Sequence, residues 1–280
     1  MHSLLQQKTW RFIDQSMSYH RTPLESFAMD DTLCHLVGQG LSAPVVRTWV
    51  HHPYVVLGIQ DHRLPFIQEG IEMLKKAHYE AIVRNSGGLA VVLDKGILNI
   101  SIVLSEEPGS ISINTGYEVM FNFVKLLFPE AADEIQAYEI VGSYCPGSYD
   151  LSIGGKKFAG ISQRRLRNGV AVQIYLCIEG SGSERAELIK ELYETSLKGK
   201  ETKFQYPKIQ PDVMASLSEL LNRPITVQET IIQVQQLLAS LSEKVLFQPL
   251  EGDELELYSF YLKRVLERNE KMLGKNVDEH

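Results

Sequence analysis

Of the three cysteines in this chain, one has a setting that could do covalent chemistry. Cys145 lies in Gly142-Ser143-Tyr144-Cys145-Pro146-Gly147-Ser148-Tyr149-Asp150, a run of turn formers with no apolar periodicity. Pro146 and Gly147 bar helix continuation, and glycines let backbone N–H groups approach a ligand closely. A thiol displayed on such a turn is a candidate nucleophile if a neighbouring charge stabilises its thiolate; the alternative is an unreactive loop cysteine. Cys34 falls in a helical pattern and Cys177 in a strand pattern, where a free cysteine behaves as a small packed hydrophobe. Lys157 follows Cys145 by twelve residues. It could be a solvated strand-end lysine, as Lys156 reads, or a partly desolvated ammonium that stabilises the thiolate. Arg84-Asn85-Ser86-Gly87-Gly88 follows a strand pattern but contains neither a GxxxxGK[ST] phosphate loop nor a GxGxxG fingerprint. Arg164, Arg165 and Arg167 read as a solvated hairpin tip or as a contact for an acidic partner.

The whole chain sets limits on these readings. Its 280 residues carry 28 Lys plus Arg against 35 Asp plus Glu, a net charge of −7. That mild acidity leaves no electrostatic footprint for nucleic acid. Apolar residues at 44% and charged residues at 22% exclude disorder and can fill a sizeable core. No apolar run approaches the ~18 residues of a membrane span, and the first eight residues carry no apolar signal core. Three widely spaced cysteines form neither a CxxC pair nor a disulfide framework, which fits a reducing cytosol. Seven of the eight histidines precede residue 80, and none falls in a zinc-ligand spacing, so no metal site is expected.

Positioning these residues falls to a mixed set of elements. Helical spacing predicts a short helix over 26–37, a second over 66–77 and a third over 114–127. Strand patterns cover 45–60, and strands flank a Gly87-Gly88 turn before a further strand over 97–104. Residues 157–167 and 170–178 read as a hairpin joined by Asn168-Gly169, a pair that favours a type I′ turn. That turn sets residue 167 opposite 170 and 161 opposite 176. By strict alternation, Lys157, Ala159 and Ile161 share a face with Val172, Ile174, Leu176 and Ile178, while Phe158, Ser162, Arg164, Gln173, Tyr175 and Cys177 lie opposite. Ser181-x-x-Glu184 and Thr226-x-x-Glu229 are capping boxes opening helices, and the spacing over 253–273 predicts a further helix. The expected organisation is an N-terminal extension over 1–40 packed on the core and a helical C-terminal region over 211–280.

Taken together, these segments resemble the catalytic domain of the biotin/lipoate protein ligase family. Arg84-x-Ser86-Gly87-Gly88-x-Ala90-Val91, followed by Asp94-x-Gly96-x-Leu98-Asn99, is similar to its substrate-binding loop. Lys157-Phe158-Ala159-Gly160 resembles its Lys-x-x-Gly strand, whose lysine touches the bound acyl group. Val83 stands where lipoate ligases carry a first arginine, Leu89 where they carry a third glycine, and Leu93 where they carry a histidine. These departures disfavour an ATP-using ligase. Gly58-Ile59-Gln60-Asp61 and residues 84–94, 142–153, 156–167, 170–177 and 181–186 are similar to the lipoyl amidotransferase branch.

The resemblance implies an α+β catalytic domain over 41–210, a mixed sheet flanked by helices of the kind shared with class II synthetases. It implies an acyl-thioester on Cys145, tuned by Lys157 as acid and base, with Arg84, Ser86, Gly87, Gly88, Asp150 and Gly160 binding substrate. It also implies no cofactor. The octanoylated glycine cleavage H protein would be the donor, and lipoyl domains of 2-oxoacid dehydrogenase E2 subunits the acceptors, with no nucleic-acid or membrane partner. An octanoyl-acyl-carrier-protein donor, an ATP-dependent lipoate–protein ligase and a non-catalytic acyl- or lipoyl-domain-binding protein are the competing readings.

Overall fold

Chain-distant segments pair to build the sheet that carries the site. The computed structural model describes residues 2–18, 20–106 and 111–274. In chain order, strand β1 (Gln7–Gln15) and helix α1 (Pro23–Gly38) precede strands β2 (Val45–Trp49) and β3 (Tyr54–Leu57). Helix α2 (Ile67–Lys76) leads to β4 (Glu80–Val83), β5 (Val91–Leu93) and β6 (Ile97–Ser105). Helix α3 (Ile113–Leu127) is followed by β7 (Gln136–Ala137), β8 (Asp150–Ile153), β9 (Lys156–Leu166) and β10 (Gly169–Cys177). Helices α4 (Gly182–Leu197), α5 (Leu217–Leu220) and α6 (Val227–Leu241), strand β11 (Ser242–Phe247) and helix α7 (Asp253–Leu273) complete it. Among the described residues no helix is long and apolar enough to cross a membrane.

An eight-stranded mixed sheet runs β11-β1-β2-β6-β10-β9-β8-β7, and a second sheet runs β4-β3-β5. The central strands are buried on both faces because both faces are covered. Trp10, Val46, Ile100, Ile102 and Val172 pack with α3 and α6 on one side. On the other, Val45, Val103 and Ala171 meet α1, while Trp49 and Tyr175 join the small sheet and the α2–α4 pair. Helix α1 is buried nearly all round, since α7 packs against it from outside. Its buried Asp30 and Asp31 are held by Arg47 and Arg164.

Both ends of the chain, beyond the expected divisions at residues 40 and 211, contribute strands to the large sheet. Strand β1 lies inside the large sheet, and β11 extends that sheet by pairing in parallel with it, Gln7 opposite Ser242. Ala215 N–H donates to the Lys157 carbonyl at 3.0 Å, so residues just after 211 run beside β9. Strand β11 is short, half-exposed and charged, as edge strands are, and follows α6 with no turn between them. Helical spacing on either side therefore hides it. The last residues of the expected helical region, 275–280, lie outside the described residues.

The hairpin forms, but its turn is Arg167-Asn168, with φ of 52° and 64°, and Leu166 pairs with Gly169. Gly169 is not a turn residue. A Cβ there would sit 2.0 Å from the Cys34 carbonyl oxygen, so the glycine admits α1 to the strand. The shift moves each strand by one residue and preserves the alternation through Ile161 and Ile174. A second departure matters more. Ala159 pairs with Leu151 and Lys157 with Ser152, leaving Phe158 as an extra residue in a bulge. The bulge turns Lys157 off the apolar face expected for it and onto the face of Tyr175.

Beside α1, His51 is buried with Nδ1 3.0 Å from the Arg21 carbonyl and Nε2 3.0 Å from Ser26 Oγ. A carbonyl cannot donate, so Nδ1–H donates and Nε2 accepts, which is the neutral ring. Burial, with Arg47 nearby, lowers its pKa from 6.5 to about 3. The unfolded chain therefore takes up this proton before the folded one does, and stability is lost as pH falls from 6.5 toward 3. By pH 5 the loss reaches about 2 kcal/mol. We expect denaturant titrations at pH 7 and pH 5 to show it, and His51→Gln to remove that part of the slope.

Candidate active site

Cys145 is held in a left-handed conformation, φ 44°, that costs a non-glycine residue free energy and persists only where surroundings enforce it. Lys157 is that enforcement. Its ammonium is fully buried and donates to the Tyr144 and Cys145 carbonyls, both at 2.9 Å. It pairs with Asp150 at 2.9 Å and lies 3.3 Å from Ser143 Oγ. Asp150 in turn accepts from Ile140 N–H at 3.1 Å through its other oxygen. One buried ion pair thus ties both ends of the loop to the bulged strand. Burial pushes the Asp150 carboxyl up and Lys157 opposes that.

The sulfur has different partners from those expected. Arg84 Nη2 and the Leu89 N–H each lie 3.2 Å from Cys145 Sγ, whereas the described bonds of Lys157 are to oxygens. Arg84 is 6% exposed, and Nη2 also donates to the Leu89 carbonyl. Gly88, with φ 107°, makes this possible: a Cβ there would lie 2.0 Å from Nη2 and 3.0 Å from Sγ. Gly58 backs it, since a Cβ at Gly58 would meet the Gly88 carbonyl oxygen at 2.1 Å. Asp61 closes that turn by accepting the Gly58 N–H at 2.7 Å. The Gly58-to-Asp61 segment therefore supports the 84–89 loop. Asn85 anchors the loop to α1 through Asp31 at 3.1 Å, a tie that sequence reasoning missed.

Cys145 opens onto a cavity of about 430 Å³ between the two sheets. Phe27, Trp49, Val56, Val91, Leu93 and Tyr175 give it an apolar wall, and Ser86, Gly87, Gly88 and Gly160 also border it. Gly160 has a packing reason as well: a Cβ there would lie 2.7 Å from the Tyr175 ring. That ring stacks on Tyr144, next to the cysteine, with centroids 5.9 Å apart. Tyr144 and Tyr175 carried no signal in the motif reading; register places Tyr175 opposite Gly160.

Other residues singled out by sequence fall elsewhere. Lys156 is exposed. Arg164 and Arg165 are engaged by Asp31 and Glu106 at 2.6 and 2.5 Å, so neither is a free contact for an acidic partner. Cys34 and Cys177 are buried; burial pushes the Cys34 thiol well up and the Cys177 thiol to about 12. Neither is a nucleophile at neutral pH.

Comparison with known proteins gives the family of the chain. The lipoyl protein ligase A/B catalytic domain family matches residues 22–239, a span that crosses both expected boundaries. An octanoyl-[GcvH]:protein N-octanoyltransferase of Lysinibacillus sphaericus is 66% identical, covering 99% of this chain and 100% of the relative. One of Bacillus velezensis is 54% identical, covering 97% and 96%. A lipoate-protein ligase A crystal structure bound with ATP superposes with a TM-score of 0.70 at 15% identity, covering 96% of this chain and 99% of that one. That last likeness concerns the fold: the mixed sheet flanked by helices is the lipoate-ligase fold. The chain belongs to the lipoyl protein ligase A/B catalytic domain family, and within it to the protein N-octanoyltransferases.

Proposed function

We propose that this enzyme moves an octanoyl group from the octanoylated H protein of glycine cleavage to lipoyl domains of 2-oxoacid dehydrogenase E2 subunits, through a thioester on Cys145. The observation that carries the reading is the Cys145 sulfur, held between the Arg84 guanidinium and the Leu89 N–H at the wall of an apolar cavity. In the first half-reaction the thiolate attacks the octanoyl-lysine carbonyl. The C–S bond forms, the C–N bond breaks, and the departing lysine nitrogen takes a proton. In the second, a neutral acceptor lysine attacks the thioester, the C–S bond breaks, and the new amide nitrogen gives up a proton. Thiolate is regenerated and one amide has replaced another.

Amide exchange of this kind is nearly thermoneutral, which is why no ATP is consumed. The acyl tail supplies binding: about six buried methylenes at ~0.8 kcal/mol each give at most roughly 5 kcal/mol. That is of the same order as the roughly 4.6 kcal/mol needed to present a lysine of pKa ~10.4 as a neutral amine at pH 7. Arg84 and the Leu89 N–H stabilise the thiolate in this reading, while Lys157 and Asp150 hold the loop. The curated relatives' names carry the H protein as donor.

The test is an intact-mass assay with octanoylated H protein, an apo lipoyl domain and no ATP. We expect the octanoyl mass to leave the donor, appear transiently on the enzyme and finish on the acceptor. Faster loading from octanoyl-acyl-carrier protein at matched concentration would replace the donor assignment. An absolute requirement for Mg·ATP would return the chain to the ligases.

A further inference from the structure

Arg84 is buried beside the nucleophile with one of its donors unspent. Its Nη2 bonds the Leu89 carbonyl and the Cys145 sulfur, while Nε is buried with no partner among the described residues. A buried guanidinium N–H left without an acceptor is costly unless a ligand uses it. Arg84 lines the cavity into which Cys145 opens. Resting on the thioester reading above, we infer that Arg84 is a catalytic residue: its guanidinium holds the acyl carbonyl oxygen and, with the Leu89 N–H, stabilises the oxyanion formed when that carbonyl is attacked.

The geometry supports the change of partner. Once the acyl carbon bonds to Sγ, the sulfur carries no charge, and the carbonyl oxygen is two bonds away from it. Donors that sat 3.2 Å from the sulfur are then within reach of the oxygen without a new rotamer. A planar guanidinium can offer two parallel N–H groups to one oxygen site, which a lysine cannot. It also remains charged at any working pH, so the same group serves both tetrahedral intermediates. Gly88 keeps the space open, because any side chain there would collide with Nη2. The donors border a cavity with an apolar wall, where such a contact is stronger than in water.

The experiment separates this inference from the reading beneath it. Load the parent enzyme, Arg84→Gln and Arg84→Lys with ¹³C-carbonyl octanoyl from the N-acetylcysteamine thioester. Confirm the adduct on Cys145 by peptide mapping, then record the infrared carbonyl band and single-turnover transfer to an apo lipoyl domain. We expect the band at lower frequency in the parent than in Arg84→Gln. Transfer from Arg84→Gln should be roughly 10²- to 10³-fold slower, with Arg84→Lys between the two. Coincident bands, or transfer from Arg84→Gln as fast as from the parent, would overturn the inference while leaving the thioester intact. A parent enzyme that transfers octanoyl yet never carries it on Cys145 would overturn the thioester reading and this inference together.

Discussion

On the thioester reading, Cys145→Ala is expected to abolish octanoyl transfer, by at least roughly 10⁴-fold, while the fold loses little stability. The activity loss follows from covalent catalysis: without the sulfur, two amides would have to exchange directly, and no remaining side chain splits that step. The small stability cost follows from position. Cys145 is only partly buried and sits on a loop whose conformation is enforced by Lys157 rather than by its own side chain. Alanine suffers the same left-handed backbone cost that cysteine already bears. The controls go the other way. Cys34 and Cys177 are packed at 0% and 2% exposure, so replacing either by alanine should cost about 1–2 kcal/mol and leave the acyl adduct in place. Peptide-mapped mass spectrometry with hydroxylamine release, beside denaturant melts, reads both quantities. A hydroxylamine-labile adduct that persists in Cys145→Ala would sink the assignment.

What could be read from sequence was local. The Gly- and Pro-rich turn around Cys145, the side-chain cap at Ser181, the capping box at Thr226, and the β10 strand all announce themselves within a dozen residues. What could not be read depends on partners far along the chain. Strand β1 looked like an extension because its neighbour β11 comes from the opposite end of the sequence. The contact of Arg84 with the Cys145 sulfur joins residues 61 apart, so neither motif announces it. Lys157 was placed by alternation, and alternation fails at a bulge, which inserts one residue without any mark in composition. In the hairpin, Gly169 was read as half of an Asn-Gly turn, while its absent side chain serves α1 instead. Glycine signals a need for space or for positive φ, and sequence alone does not say which.

The Lys157–Asp150 pair gives the second large effect. Lys157→Met should destabilise the protein by roughly 3–5 kcal/mol, because it strands the Asp150 carboxylate where water does not reach it. That is a large share of the ~5–15 kcal/mol a domain of this kind has. Asp150→Asn alone should also be costly, leaving the buried ammonium with oxygen acceptors but no counter-charge. In the double variant Lys157→Met/Asp150→Asn no buried charge is left unpaired, and most of the stability should return. Activity should not return with it. The Tyr144 and Cys145 carbonyls still lack their shared donor, so nothing holds the cysteine at φ 44° beside Arg84. Urea melts of the four proteins give the coupling energy, and octanoyl loading of Cys145 gives the positional effect. Full recovery of loading in the double variant would show that the pair contributes charge balance alone. Recovery of stability without loading would show that Lys157 contributes more to the site than charge balance.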